Sequence, residues 1–326
     1  MNDFTFAVCD FWAGHDPSAD PMIRALTAGM EYTSRIEGAD LTICSTFGDR
    51  HRRARGALVM FNGEPSAPGV FARKSSIHFR IDWMHDSSPD HLRVPIWAYG
   101  LREALAEFDT FSDGSVPSGR RFCNFIYSNH GSPMRNAFFE LLHREKPVDA
   151  LGLAHRNLVH PGLAERSVTG GLATKLAVQG EYRFTIAFEN SEHVGYTTEK
   201  LLHAWSADTV PIYWGNPAVE VDFAPGSFLS LNRAGSMAKL VKLVLEVDDD
   251  PELYEHYRAL NPLRTGEASR ALERYAAAVD VFSSTMRTAI ASRSTDPVRS
   301  RAYAGGLGEQ LSKRLGKLKQ FGARRQ

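Results

Sequence analysis

The chain carries no net charge, few cysteines and no long apolar run, and each absence closes off a class of function. Lys plus Arg and Asp plus Glu number 38 each over 326 residues, so no global field draws the molecule to nucleic acid. The three cysteines, Cys9, Cys44 and Cys123, are an odd number without the paired spacing of a zinc site. Cys9 and Cys44 lie in apolar runs and read as buried thiols in a reducing compartment. No apolar stretch approaches the ~18 residues of a membrane span. The start, MNDFTFAVCDFW, lacks the basic head and apolar stretch of a secretory signal, so the expected location is cytoplasmic. What is present is the balance of a globular chain, 43% hydrophobic and 23% charged, long enough for two domains.

Short apolar runs alternate with helical patterns. FTFAVCDFW (4–12), DLTICSTF (40–47), ALVMFNG (57–63) and FRIDWM (79–84) predict strands early in the chain. RFCNFIYSN (121–129), YRFTIAFEN (182–190), TVPIYWG (209–215) and SFLSL (227–231) predict strands later. MRNAFFELLHRE, EKLLHAW and MAKLVKLVLEV between them have apolar residues at helical spacing. This alternation predicts an α/β fold with mainly parallel sheets. DTFSDGSVPSGRR (109–121), rich in Ser, Gly, Pro and Asp, is the best linker between two such units. From Arg301 the tail holds seven Lys/Arg and one acidic residue, with Leu307, Leu311, Leu315 and Leu318 at helical spacing. Such a basic amphipathic helix suits an anionic membrane surface, although Gly305, Gly306, Gly308, Gly316 and Gly322 weaken it.

Two segments concentrate groups suited to an anion. In SNHGSPMRNAFFELL (128–142), Ser132 is a good N-cap and Pro133 suits the first helical position. Arg135 then falls in the first turn, where free N–H groups and a guanidinium fork match phosphate oxygens. An ordinary capped helix with a solvated arginine explains the same letters. In FTIAFENSEHVGYTTEKLLHAW (184–205), Thr197 or Thr198 can cap a helix opening at Glu199 and Lys200. A lysine there opposes the helix dipole unless an anion compensates it. Glu199 and Lys200 point in different directions, so a carboxylate can meet sugar hydroxyls while an ammonium meets phosphate. A salt-bridged helix start on the surface is the alternative. Tyr213 and Trp214 read as packing. The acidic run Asp248-Asp249-Asp250-Pro251 is a poor metal site and reads as a helix cap at Asp250. His15, His85 and His130 read as surface or packed residues rather than site groups.

The run FENSEHVGYTTEKLLHAWSADTVPIYWGNP resembles the donor-binding motif of the α-1,3/4-fucosyltransferases, glycosyltransferase family 10. SNHGSPMRNAFFELLHREKPVDALG resembles the preceding segment of bacterial members, and FNGEPSAP with FRIDWMHDSSPDHLRVPIWAYG resembles their acceptor-side signature. The resemblance runs from about Phe4 to about Pro262 and weakens in the last sixty or so residues. It implies GT-B architecture, two Rossmann-like domains facing a cleft. Residues 1–115 are then the acceptor-binding domain, 116–290 the GDP-fucose-binding domain and 291–326 a basic amphipathic or flexible tail. It implies inverting transfer of L-fucose from GDP-fucose to a hydroxyl of a glycan containing N-acetylglucosamine or glucose, in α-1,3 or α-1,4 linkage.

By the same resemblance Arg135 and Lys200 meet the diphosphate, Glu199 meets fucose or ribose hydroxyls, and Asn190 and Tyr196 line the donor pocket. Glu64 matches the general base. With two fixed cations at the phosphates, no metal or other cofactor is expected. Glu64 ends a strand-like run, a suitable platform for a catalytic group, and Asp82 or Asp86 are the fallback carboxylates. Glu192 and His193 depart from the usual small polar residues and are expected to alter donor or acceptor fit. The remaining alternatives are a different GDP-linked deoxyhexose as donor and a non-catalytic glycan- or nucleotide-binding module. The pairing of Glu64 with Arg135 and Lys200 speaks against the module, since a lectin needs no phosphate cations.

Overall fold

The computed structural model describes residues 4–65, 78–85, 88, 90–99, 119–163, 171–260, 262–263 and 268–293. The linker's first ten residues, Asp86 and the whole basic tail lie outside them. Among the described residues, two parallel sheets organise the chain.

The first sheet has the order β2-β1-β3-β4-β5-β6. Its strands are β1 (Thr5–Cys9), β2 (Glu31–Tyr32), β3 (Leu41–Cys44), β4 (Ala57–Asn62), β5 (His78–Asp82) and β6 (His91–Arg93). The second has the order β11-β10-β9-β7-β8, built from β7 (Arg121–Phe125), β8 (Val148–Ala150), β9 (Tyr182–Phe188), β10 (Val210–Trp214) and β11 (Leu229–Ser230). Every strand pair is parallel. Parallel strands are covered on both faces, which is why β3 and β10 are buried along their whole length. Both sheets reverse their strand order once, at β1/β3 and at β7/β9. In doubly wound sheets ligands bind outside the carboxyl ends of the strands at such a switch point.

Each of the eight strand-like runs contains a strand, trimmed at its C-terminal end where the loops begin. Sequence reasoning missed β2, β6 and β8, which are two or three residues long and leave too few positions for a period to show. The three expected helices are present: α1 (Pro133–Glu145), α2 (Glu199–Ser206) and α3 (Met237–Asp249). Asp250 caps the next helix, Pro251–Ala259, its carboxylate accepting from Glu252 N and Leu253 N at 3.0 Å each. Asp248 pairs instead with Lys146 and, at 2.8 Å, with Arg183. Asp248 and Asp250 are thus spent on structure. All three cysteines are free thiols and buried.

The residues divide into two compact units at Val94/Pro95 and again at Leu272/Glu273. The expected boundary near residue 115 falls outside the described residues. In the first unit, the final helix (Ala268–Arg293) packs Phe282 edge-on to Phe79 at 5.5 Å. In the second, Phe125, Phe138, Phe184, Phe188, Leu240 and Val244 are fully buried between sheet and helices. Each such side chain contributes about 1.5–3 kcal/mol by leaving water. Among the described residues, no helix is long and apolar enough to cross a membrane.

Candidate active site

At the end of β9 the chain places Glu189 with no solvent exposure. Its carboxylate accepts Thr198 N–H at 2.8 Å and the Thr198 hydroxyl at 2.6 Å. Lys200 Nζ lies 3.1 Å from Glu189 Oε2 and donates to Thr198 Oγ1 at 2.6 Å. Lys200 also reaches Glu199 at 3.5 Å. Thr198 holds the N-cap position of α2, yet its hydroxyl makes no capping bond: its proton goes to Glu189 and its oxygen accepts from Lys200 instead. The helix start is therefore tied back to the strand end, and Lys200 is held against the dipole by two carboxylates rather than by solvent. Glycine at 215 makes room for this, since a Cβ there would stand 2.4 Å from Glu189 Cγ.

Arg135 rises from the first turn of α1 and is 1% exposed. Its guanidinium lies 3.9 Å over the Tyr127 ring and donates to Asn190 Oδ1 and, at 3.4 Å, to the Glu189 carbonyl. The Tyr127 hydroxyl in turn donates to Ile186 O at 2.7 Å. Arg135 is thus not the solvated residue of an ordinary capped helix but a buried one that joins α1 to the end of β9, across the β7/β9 switch point. Its Nε is a buried donor with no partner among the described residues. Ser132 does hold the N-cap position and Pro133 follows it, but the serine hydroxyl makes no capping bond.

The turn between Asn190 and Thr198 is pinned by Asn216. Its Oδ1 accepts from Gly195 N at 2.7 Å, and its Nδ2 donates to Thr197 Oγ1 at 3.0 Å. Tyr196 is buried at 3% exposure, edge-on to His193 with ring centroids 6.4 Å apart. Glu192 accepts from Trp214 Nε1 at 3.1 Å, so one of the two unusual residues of this turn locks it to β10. Tyr213 and Trp214 are core residues as expected; the Tyr213 hydroxyl also accepts the Asn216 N–H at 3.1 Å.

Burial dominates the electrostatics. It pushes the Glu189 carboxyl up, against the pull of Lys200 and the Thr198 donors. Burial would also raise Glu199, but Lys200 and Lys175 bring its pKa down to about 2. Burial and then Lys175 lower His203 to about 3. That imidazole is neutral at ordinary pH, and its Nδ1 can accept from Lys175 Nζ at 3.1 Å. Glu199, with 37% of its side chain exposed, is thus a stable carboxylate available to hydroxyl groups.

In the first unit, Glu64 stands two residues beyond the end of β4 with an exposed side chain. Its N–H donates to Asn62 Oδ1 at 3.0 Å. Asp82, at the end of β5, is buried, 2.7 Å from His91 Nε2 and accepting Met84 N–H at 2.9 Å. It is committed to its own loop, unlike Glu64. His15 stacks on Phe11 at 4.3 Å, and His85 and His130 are exposed.

The structure therefore gathers Lys200 on the Glu189 carboxylate, Arg135 on the Glu189 carbonyl and Asn190, and Glu199 on Lys200, with Tyr196 in the same turn. Glu64 belongs to the other unit. Sequence reasoning assigned no site role to Glu189, Thr198, Asn216, Tyr127, Lys175 or His203. The one available signal was Glu189 itself, an acid directly after a wholly apolar strand, where a charge needs partners.

Residues 118–279 match the model of "Glycosyltransferase family 10 (fucosyltransferase) C-term". The alpha-(1,3)-fucosyltransferase FucT of Helicobacter pylori is 31% identical over 154 residues, 47% of this chain and 30% of that protein. An alpha-(1,4)-fucosyltransferase of Arabidopsis thaliana is 38% identical over 78 residues, 24% of this chain and 20% of that protein. The chain thus spans under a third of the length of these curated relatives. A crystal structure of an alpha1,3-fucosyltransferase superposes with a TM-score of 0.69 at 22% identity, covering 86% of this chain and 90% of that one. A second, with GDP-fucose, gives 0.67 at 20% identity, covering 85% and 90%. The fold is the expected GT-B one, two doubly wound parallel sheets. On its matched half and its fold, the chain belongs to glycosyltransferase family 10.

Proposed function

We propose that this protein is an inverting α-1,3/4-fucosyltransferase. It moves L-fucose from GDP-fucose to a hydroxyl of a glycan containing N-acetylglucosamine or glucose. The observation that carries the reading is the convergence of Arg135, Asn190, Glu199 and Lys200 on buried Glu189, at the switch point of the family-matched sheet. Arg135, with a free Nε donor, and Lys200 meet the diphosphate. They stabilise the negative charge that develops on departing GDP, so the reaction needs no metal ion. Glu199 accepts from fucose or ribose hydroxyls, and Asn190 and Tyr196 shape the pocket. Single displacement also needs a base for the acceptor proton. Glu64, exposed past the end of a parallel strand, fills that role in the acceptor-binding unit. We place the first unit, up to Val94 and again from Glu273 to Arg293, on the acceptor side and the second, Pro95–Leu272, on the donor side.

The test is incubation with GDP-fucose and N-acetyllactosamine, followed by mass spectrometry of the acceptor. A mass gain of one deoxyhexose that persists in excess EDTA is expected. No gain with this or other N-acetylglucosamine and glucose acceptors would contradict the activity. Glu64→Gln keeps the shape of the side chain but not its basicity. Turnover should fall by ~10²–10⁴ with GDP affinity unchanged, and near-normal turnover would remove Glu64 from the mechanism.

Arg135→Ala and Lys200→Ala each delete a charge-assisted contact of roughly 1.5–3 kcal/mol. Calorimetry should show GDP binding weakened by about one to two orders of magnitude in each. Unchanged affinity in both would displace the diphosphate from this site.

We further infer that the basic tail holds a cytoplasmic enzyme at the inner membrane face, because its leucines and lysines can segregate on a helix. Removing residues 301–326 should reduce pelleting with anionic vesicles and leave turnover of a soluble acceptor intact. Equal pelleting of both forms would refute the membrane role.

A further inference from the structure

We propose that Trp83 is a positioning residue for Glu64, holding the base by its main chain. The indole Nε1–H of Trp83 donates to the Glu64 carbonyl at 3.1 Å, and the Glu64 N–H donates to Asn62 Oδ1 at 3.0 Å. Both polar groups of the Glu64 backbone are thereby fixed, one from its own strand and one from the next, while the carboxylate stays exposed. Trp83 is 5% exposed, so its ring cannot swing away without leaving the core.

The turn that carries Trp83 is anchored in its own right. Asn62 and Asp82 face each other across β4 and β5. Asp82 is 2.7 Å from His91 Nε2 on β6 and accepts the Met84 N–H at 2.9 Å. The ends of β4 and β5, braced by His91 at the start of β6, thus set one exposed carboxylate. Without such a clip the loop backbone would carry the glutamate over a wider range of positions, and its carboxylate would seldom meet an acceptor hydroxyl in line. The inference rests on Glu64 being the base, and its test separates the two ideas.

The experiment is a double-mutant cycle on kcat, with GDP-fucose and N-acetyllactosamine as substrates. Trp83→Phe keeps an aromatic ring and deletes the N–H. Alone, it should lower kcat about ten-fold with the KM for GDP-fucose unchanged, since about 1 Å of misplacement costs roughly a hundred-fold. In a Glu64→Gln background the same change should have no further effect, because there is no base left to aim. An equal loss in both backgrounds, or no loss in the native one, overturns the positioning role. Near-normal turnover of Glu64→Gln alone overturns the base and the clip together. If Trp83→Phe does not fold, β-(3-benzothienyl)alanine at position 83 keeps the bicyclic shape, replaces the N–H by sulfur and answers the same question.

Discussion

Glu189 is a fully buried carboxylate, and the geometry of the second unit's site follows from how it is satisfied. An isolated buried carboxylate is expensive, so its oxygens must be met by donors. Thr198 supplies a backbone N–H and a hydroxyl, and Lys200 supplies an ammonium. Meeting that demand fixes the distance from the end of β9 to the start of α2. It places Lys200 where the helix dipole alone would not hold it, and it leaves Glu199 partly exposed beside two lysines. The Glu189 carbonyl accepts from Arg135, so the same residue reaches the guanidinium on α1. One residue at the end of β9 thus ties together the starts of α1 and α2.

The sheet explains why these groups meet at all. At the β7/β9 reversal the connections leave the sheet in opposite directions, opening a crevice at the carboxyl ends of the strands. Arg135 comes from the helix after β7, while Asn190 and Lys200 come from the loop and helix after β9. The first unit uses the same edge differently. There, paired strand ends at Asn62 and Asp82 build a platform for a single exposed carboxylate, not a cradle of cations.

Much of this was legible in the sequence, for identifiable reasons. Strands buried on both faces read as apolar runs, so β3, β4, β9 and β10 stood out, whereas the short edge strands β2, β6 and β8 left no pattern. The letters around Arg135, Glu199 and Lys200 marked two helix starts bearing charge. Their partners were another matter. Nothing local to Arg135 says that Asn190 takes its guanidinium 55 residues later. Thr198 was read as a cap, and its position was right, but its hydroxyl donates to Glu189 and accepts from Lys200 in place of the helix N–H groups. Asp250, with no buried competitor, caps as the sequence implied. Burial, which decides between a solvated arginine and a buried one, is a property of the assembled layers and has no signature within a single helical turn.

The claim that most of this account depends on is that Glu189 and Lys200 stabilise one another inside the protein. A double-mutant cycle with Glu189→Gln, Lys200→Met and the double variant, read by urea unfolding, measures it directly. The account predicts that Lys200→Met leaves the buried Glu189 carboxylate without its counter-charge, while Glu189→Gln leaves Lys200 with Glu199 alone. The double variant should therefore cost less than the sum of the two singles, with a coupling of about 1–3 kcal/mol. Losses that add to within ~0.5 kcal/mol would contradict it and leave the convergence around Glu189 without its physical cause.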